Sequence, residues 1–414
     1  MSESVVVTGI GMITPVGGDT SVTWENLKSG QSGISQITRF DASDYEFPIA
    51  GEVKNFDPKE YLDSKTLRRV DLSTAFAVAA CKEALLDASI DINSENPKSI
   101  GIILGTGMGG AHLMIDQQRI LEEKGPRRIS PFLISHFLPD SATGIIAMEL
   151  GARGPNFAIT AACATGGTAI GEAAEIIARG EAEIIISGGY EAPLQPIYYA
   201  GFSAMKALAS HKDPTKALRP FDANRNGFIL GEGAGILVLE SLTHAQKRNA
   251  QIYAHWLGGG TANDAYDMVA ADDNGRGIGD AMENALNRAR LNIDQIDYIN
   301  AHGTSTPLND RVETSAINRI FKSEAKKLMV SSTKSMHGHM MGAAGAVEAA
   351  ICALVCRDGI VPPTINYETP DPDCDLDYVP NESRNVKINN VMSTSVGLGG
   401  HNSALIFGTA ERKQ

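Results

Sequence analysis

The 414 residues carry a formal net charge of −13, with 43% hydrophobic residues, 21% charged residues and 42 glycines. That charge excludes a protein whose affinity comes from neutralising phosphates, so no nucleic-acid partner is expected, and an acidic partner would need a local basic patch. Five scattered cysteines fit neither a disulfide framework nor a CxxC metal site. No membrane helix is expected, and the opening MSESVVVTGIGMITP has no basic leader before its apolar run, so the expected location is cytoplasmic, with reduced thiols.

In chain order, VVVTGI, IGIILGTG, EIIISGGY and AGILVLES read as buried strands. STAFAVAACKEALLDA and TAIGEAAEIIARG carry apolar residues at helical spacing between them. The alternation predicts an α/β protein with helices layered around mainly parallel sheets. Two stretches, FAITAACATGGTAIGEAAEIIARGEAEIIISGG and LMVSSTKSMHGHMMGAAGAVEAAICALVCRDG, both read strand, small-residue turn, helix. They predict a duplicated unit, residues 1–250 and 251–414, whose two turns face one pocket. Cys163 lies in the first turn, and Lys334, His337 and His339 in the second.

Some motifs have plainer readings. Gly105, Gly107 and Gly110 satisfy G-x-G-x-x-G after a strand, but no strand ending in an acid follows where a ribose contact belongs, so a tight turn is favoured over a dinucleotide site. DANRNGFILGEG begins like a calcium loop, yet Gly233 occupies the closing ligand position and Glu232 falls one residue early, which leaves a solvated turn. Cys352 and Cys356 share a helix face as small hydrophobes. His337 and His339 lack a completing ligand, so neither a metal nor a cofactor is expected.

Cys163 is a stronger candidate. A helix beginning just after it places the thiol near unpaired N–H groups and the positive end of a dipole, an environment expected to lower its pKa and favour the nucleophilic thiolate. No bulky residue lies between 161 and 169, which is read as room around a reacting group. His302 in AHGTSTPLND and His339 in STKSMHGHMMGAAGAVE supply two imidazoles whose N–H groups can steady a thioester oxygen as it gains charge.

ACATGG, AHGTSTPLND, STKSMHGHMMGAAGAVE and GLGGHN, in this order, resemble the β-ketoacyl-[acyl-carrier-protein] synthase II family almost end to end. The resemblance implies a duplicated thiolase-like fold, layered α-β-α-β-α with two mixed sheets, and decarboxylative condensation of a malonyl thioester with an acyl group. It implies Cys163 as the acylated nucleophile, His302 and His339 as enolate stabilisers, and Lys334 ordering them with Glu348 as its ion-pair partner. The backbone N–H groups of Cys163 and Leu398 would form the oxyanion hole.

An acyl carrier protein would dock on Lys65, Arg68, Arg69, Arg127, Arg128 and Lys206. The chain would pair as a homodimer, or with a chain-length-factor-like paralogue if it serves a type II polyketide synthase. A non-catalytic pairing subunit is the alternative, and a nicotinamide oxidoreductase a remote one. SVGLGG departs from the family's S-F-G-F-G-G, placing Val396 and Leu398 at the gate to the acyl pocket. MVAADDNGRG brings Asp272 and Asp273 into a loop where many relatives carry proline, and His337 stands where many carry threonine.

Overall fold

The computed structural model describes residues 3–411. Its strands in chain order are β1 (Val5–Ile13), β2 (Ile34–Gln36), β3 (Ile49–Gly51), β4 (Ile100–Gly105), β5 (Asn156–Ile159), β6 (Ile184–Glu191) and β7 (Gly233–Ser241). They continue as β8 (Ala254–Asn263), β9 (Tyr298–Asn300), β10 (Met329–Ser331), β11 (Ile360–Val361), β12 (Arg384–Asn385), β13 (Asn390–Gly397) and β14 (His401–Thr409). The four apolar runs form β1, β4, β6 and β7, buried along their whole lengths as strands covered on both faces require.

β2 with β3 and β11 with β12 make small ribbons; the other strands form a ten-stranded sheet ordered β10-β9-β13-β14-β8-β1-β7-β6-β4-β5. Counted from each outer edge, both halves of this sheet run third, second, fourth, fifth and first strand, with the same parallel and antiparallel pairings. Such a repeat is the duplicated thiolase-like architecture.

Two details differ from expectation. The two mixed sheets are joined edge to edge, because Val5–Val7 of β1 pair with Ala254–Trp256 of β8. Antiparallel neighbours also outnumber parallel ones in the sheet: each half has two of either kind, and the β1–β8 junction adds one more antiparallel pair.

The joined sheet folds back so that helices Thr165–Ala178 and Ala344–Asp358 lie between its halves; the second of these packs on β7 and β6 as well as β13 and β14. Their alanine-rich surfaces are buried nearly all round, as an inner layer demands. Helix Leu72–Asp87, capped by the Asp71 carboxylate on the Thr74 N–H at 3.0 Å, covers the first half from outside. Helix Arg276–Ala289 covers the second half. The layer order is therefore α-β-α-β-α, and the inner helices both start at its centre.

Their crossing explains the small residues after Cys163. A Cβ on Gly166 would lie 2.7 Å from the Ala346 nitrogen, and one on Gly345 would lie 2.9 Å from the Gly167 nitrogen. These glycines serve backbone-to-backbone helix packing, rather than the room for a reacting group read from the sequence.

Candidate active site

Cys163 stands on a sharp turn between β5 and helix Thr165–Ala178. The residue before it, Ala162, has φ +48°, a left-handed conformation that costs energy for a residue with a Cβ. The Ala161 N–H donates to the Thr165 hydroxyl at 2.7 Å and closes the turn. Strand β13 ends against it: a Cβ on Gly397 would fall 3.0 Å from the Cys163 nitrogen. The backbone N–H of the next residue, Leu398, favours the thiolate form of Cys163.

His302 follows β9, and its turn is held from below. Glu313, in helix Pro307–Phe321, accepts from the His302 and Gly303 N–H groups at 2.8 Å each and from the Thr394 hydroxyl at 2.8 Å. Asp310 of the same helix accepts from the Phe221 N–H at 2.8 Å. His339 is fixed by its own backbone, donating to the Ile229 carbonyl at 2.7 Å and accepting from the Gly231 N–H at 2.9 Å. The two imidazole centroids lie 5.2 Å apart and nearly perpendicular, and Phe228 packs edge-on to His339. Neither Nδ1 is engaged by a protein group.

Cys163, His302 and His339 line one cavity of about 410 Å³, together with Met341, Val396 and Leu398. Lys334 and Glu348 form an ion pair behind it, both fully buried. Among the described residues no group of three or more His, Cys, Asp or Glu side chains is placed to hold a metal ion.

Burial sets the electrostatics. It holds both histidines well below the ordinary value of 6.5, and the Lys334 ammonium pushes them further in the same direction, so both rings are neutral. The thiol expected to be acidified is instead pushed up by burial to about 11; Lys334 and the Leu398 N–H pull it down, and Glu191 and Glu348 oppose them. Burial is thus the largest influence on the thiol. Burial raises Glu348 to about 7, against the pull of Lys334.

The gate and its neighbouring loop are tied together. Leu398 is 38% exposed and Val396 half-buried. The Gly399 N–H donates to the Met268 carbonyl at 2.9 Å, and the Asp264 N–H to the Gly400 carbonyl at 2.9 Å. Val269, Ala270 and Ala271 line the cavity. Asp272 and Asp273 lie beyond it: Asp272 accepts from the Arg276 Nε at 2.6 Å and Asp273 pairs with Arg311 at 3.1 Å, so both anchor the loop's far end. His337 is likewise absent from the cavity lining, with Nδ1 on the Gly338 carbonyl at 2.8 Å and Nε2 on the Thr333 hydroxyl at 3.1 Å.

The basic residues meet the site unevenly. Lys206 lines the cavity. The Arg69 guanidinium stacks 3.7 Å over Phe132, joining the 65–69 segment to the one that follows Arg127 and Arg128. Lys65, Arg68, Arg127 and Arg128 are exposed.

Two weighed motifs acquire definite roles. The Gly107 and Met108 N–H groups that a nucleotide phosphate would need are taken by the Glu191 carboxylate, so the turn is filled from within. In DANRNGFILGEG the turn residues Ala223, Asn224 and Asn226 are exposed, as a solvated turn requires, while its charged residues are tied inward: Asp222 accepts from the Asn224, Glu368 and Thr369 N–H groups, Arg225 pairs with Asp371, and Glu232 pairs with Arg39.

Glu191, Glu313, Asp310 and Arg225 were not singled out by the sequence pattern. A signal exists for two of them: acids three apart in the first turns of a helix, directly after the His302 turn, face back toward it.

A buried thiol faced by two neutral imidazoles and a converging backbone N–H defines an acyl-transfer centre working through a thioester. Residues 2–245 match the Beta-ketoacyl synthase, N-terminal domain, and residues 253–368 the Beta-ketoacyl synthase, C-terminal domain. The chain is 48% identical over 406 residues to a 3-oxoacyl-[acyl-carrier-protein] synthase 2 of Staphylococcus aureus (strain COL), covering 98% of both. Among solved structures it resembles the ishigamide ketosynthase/chain length factor, with TM-score 0.92, 35% identity and coverage of 99% of this chain and 100% of that one. It also resembles a type II PKS acyl-carrier protein in complex with its ketosynthase bound to the hexaketide, with TM-score 0.91, 32% identity and the same coverage. The chain belongs to the beta-ketoacyl synthase family. It is an acyltransferase-type ketosynthase.

Proposed function

We propose that the chain transfers an acyl group from a carrier-protein thioester to the Cys163 sulfur, releasing the carrier thiol, and then elongates that group. Malonyl-carrier protein loses carbon dioxide, and the resulting enolate attacks the acyl-cysteine carbonyl. The carbon–carbon bond forms to give a tetrahedral oxyanion, whose collapse breaks the carbon–sulfur bond, so Cys163 leaves as a thiolate that takes up a proton and 3-oxoacyl-carrier protein is released. The observation that carries this reading is the shared cavity of Cys163, His302 and His339 with both rings neutral, since only a neutral imidazole both avoids a buried charge and donates an N–H to an enolate oxygen. The Cys163 and Leu398 N–H groups hold the tetrahedral oxyanion, and Lys334 with Glu348 sets the field on both rings.

Fatty-acid elongation is the favoured pathway, supported by the 48% identity to a 3-oxoacyl-[acyl-carrier-protein] synthase 2 over almost the whole chain. A non-catalytic subunit is disfavoured by the complete Cys-His-His set. Carrier-protein docking on Lys65, Arg68, Arg69, Arg127, Arg128 and Lys206 is supported by the exposure of all but the half-buried Arg69, by the Arg69 contact to Phe132 and by Lys206 at the cavity. Pairing with a second copy is supported by the outer edge strand β5 and the exposed apolar Phe132, Ile134, Leu138 and Phe157. Two units, residues 1–250 and 251–414, and a cytoplasmic location complete the reading.

Elongation assays with a series of saturated acyl-carrier thioesters and malonyl-carrier protein test it. The isolated chain is expected to release 3-oxoacyl products from long saturated primers. Product formation only after addition of a cysteine-less paralogue would move the assignment to polyketide assembly.

A further inference from the structure

Glu191 ends the apolar strand β6 at 1% exposure, with no cation among its hydrogen-bond partners. Its Oε1 accepts from the Thr106 hydroxyl at 2.9 Å and the Met108 N–H at 3.2 Å. Its Oε2 accepts from the Gly107 N–H at 2.7 Å and the Gly342 N–H at 3.1 Å. The first three donors belong to the turn after β4, and the fourth comes from the other half of the chain. A carboxylate taken from water without a counter-ion is costly unless donors surround it, and four do so here.

Both turns reach the thiol's surroundings. Met341, next to Gly342, places its Sδ 3.9 Å from the Cys163 Sγ and has φ +46°, a strained conformation that its neighbours must hold. Met108 packs in the same apolar cluster as Cys163 and Met341. We propose that Glu191 is a positioning residue for Cys163, tying together the two methionine-bearing turns, one from each half of the chain, that wall in the thiol.

Burial raises Glu191 to about 7 against the pull of its four donors, and once ionised the carboxylate also acts through its charge. It opposes thiolate formation at Cys163, as Glu348 does, while Lys334 and the Leu398 N–H favour it; His302 and His339 face the same cavity as neutral rings. Tyr190 and Tyr198 are pushed upward, mainly by burial, with Glu191 adding to the effect. Glu191 therefore holds the wall around the thiol and adds to the burial that keeps the sulfur protonated.

The inference rests on Cys163 as the nucleophile, and two substitutions in the full-length chain test it. Glu191→Gln removes the charge but keeps an acceptor for the Gly107 and Gly342 N–H groups, whereas Glu191→Ala removes both. Iodoacetamide labelling of Cys163, followed by peptide mass against pH, is expected to shift to lower pH in Glu191→Gln. In Glu191→Ala, kcat for elongation is expected to fall at least about tenfold with KM near the parent value, since displacements of about 1 Å suffice for losses of this size.

A Glu191→Gln labelling profile that overlays the parent's would overturn the proposal. So would a Glu191→Ala protein that loses only thermal stability and keeps its kcat per folded molecule. If the alanine variant does not fold, the glutamine profile decides. Acyl adducts persisting on Cys163→Ala would instead refute the nucleophile, a separate result from either of these.

Discussion

Alanine in place of His302 or His339 is expected to slow decarboxylation of malonyl-carrier protein by about 10²–10³-fold, the loss typical of one oxyanion donor. Acylation of Cys163 is expected to survive far better, because the Leu398 N–H serves the sulfur side of the cavity independently of either ring. The perpendicular rings at 5.2 Å present two donors to one small volume, so a single remaining ring cannot replace the pair. Carbon dioxide release and intact-protein mass, measured on the same variants, separate the two steps. Equal losses in both would assign the histidines to general packing.

The same burial fixes a pH dependence. Both histidines have folded values well below the ordinary 6.5, so they stay neutral as the pH falls through that range and decarboxylation is expected to persist below pH 6.5. The sign for stability is opposite to that of a paired histidine: their contribution is present above 6.5 and declines as the pH drops below it, where the unfolded chain binds protons first.

Lys334→Met is expected to cost about 3–5 kcal/mol of stability, the usual loss when one partner of a buried ion pair is removed. It leaves the Glu348 carboxyl buried, with its Oε2 already unpartnered in the parent. Adding Glu348→Leu is expected to restore much of that loss, since apolar replacement of a whole buried pair is often neutral. Urea unfolding of the single and double variants checks both. Chemistry separates from stability through charge: without the ammonium, Cys163 labelling is expected to move to higher pH, and both imidazoles are expected to protonate more readily.

The strands and the reactive turns were legible because their signals are local. Apolar runs such as IGIILGTG between turn signals read as strands in a covered sheet, and a cysteine between a strand and an alanine-rich helix marks a strand-to-helix turn. What failed was longer in range. The joining of two sheets depends on three residue pairs between β1 and β8, 249 positions apart at Val6 and His255, which no period within either segment encodes. The glycines after Cys163 read as free space because their true neighbours, Ala346 and Gly345, come from the other half of the chain. The thiol's raised value was hidden for the same reason: a helix terminus is visible in sequence, whereas the burial that pushes the thiol up appears only after both halves have closed. Which part of the MVAADDNGRG loop meets the cavity was likewise not legible: Val269, Ala270 and Ala271 line it, whereas Asp272 and Asp273 pair with Arg276 and Arg311 beyond it.

Intact-protein mass spectrometry after incubation with a long-chain acyl-carrier thioester tests the central assignment most directly. One acyl group is expected on the parent chain, located by peptide mapping to Cys163, and none on Cys163→Ala. An adduct of equal yield on the alanine variant would contradict it.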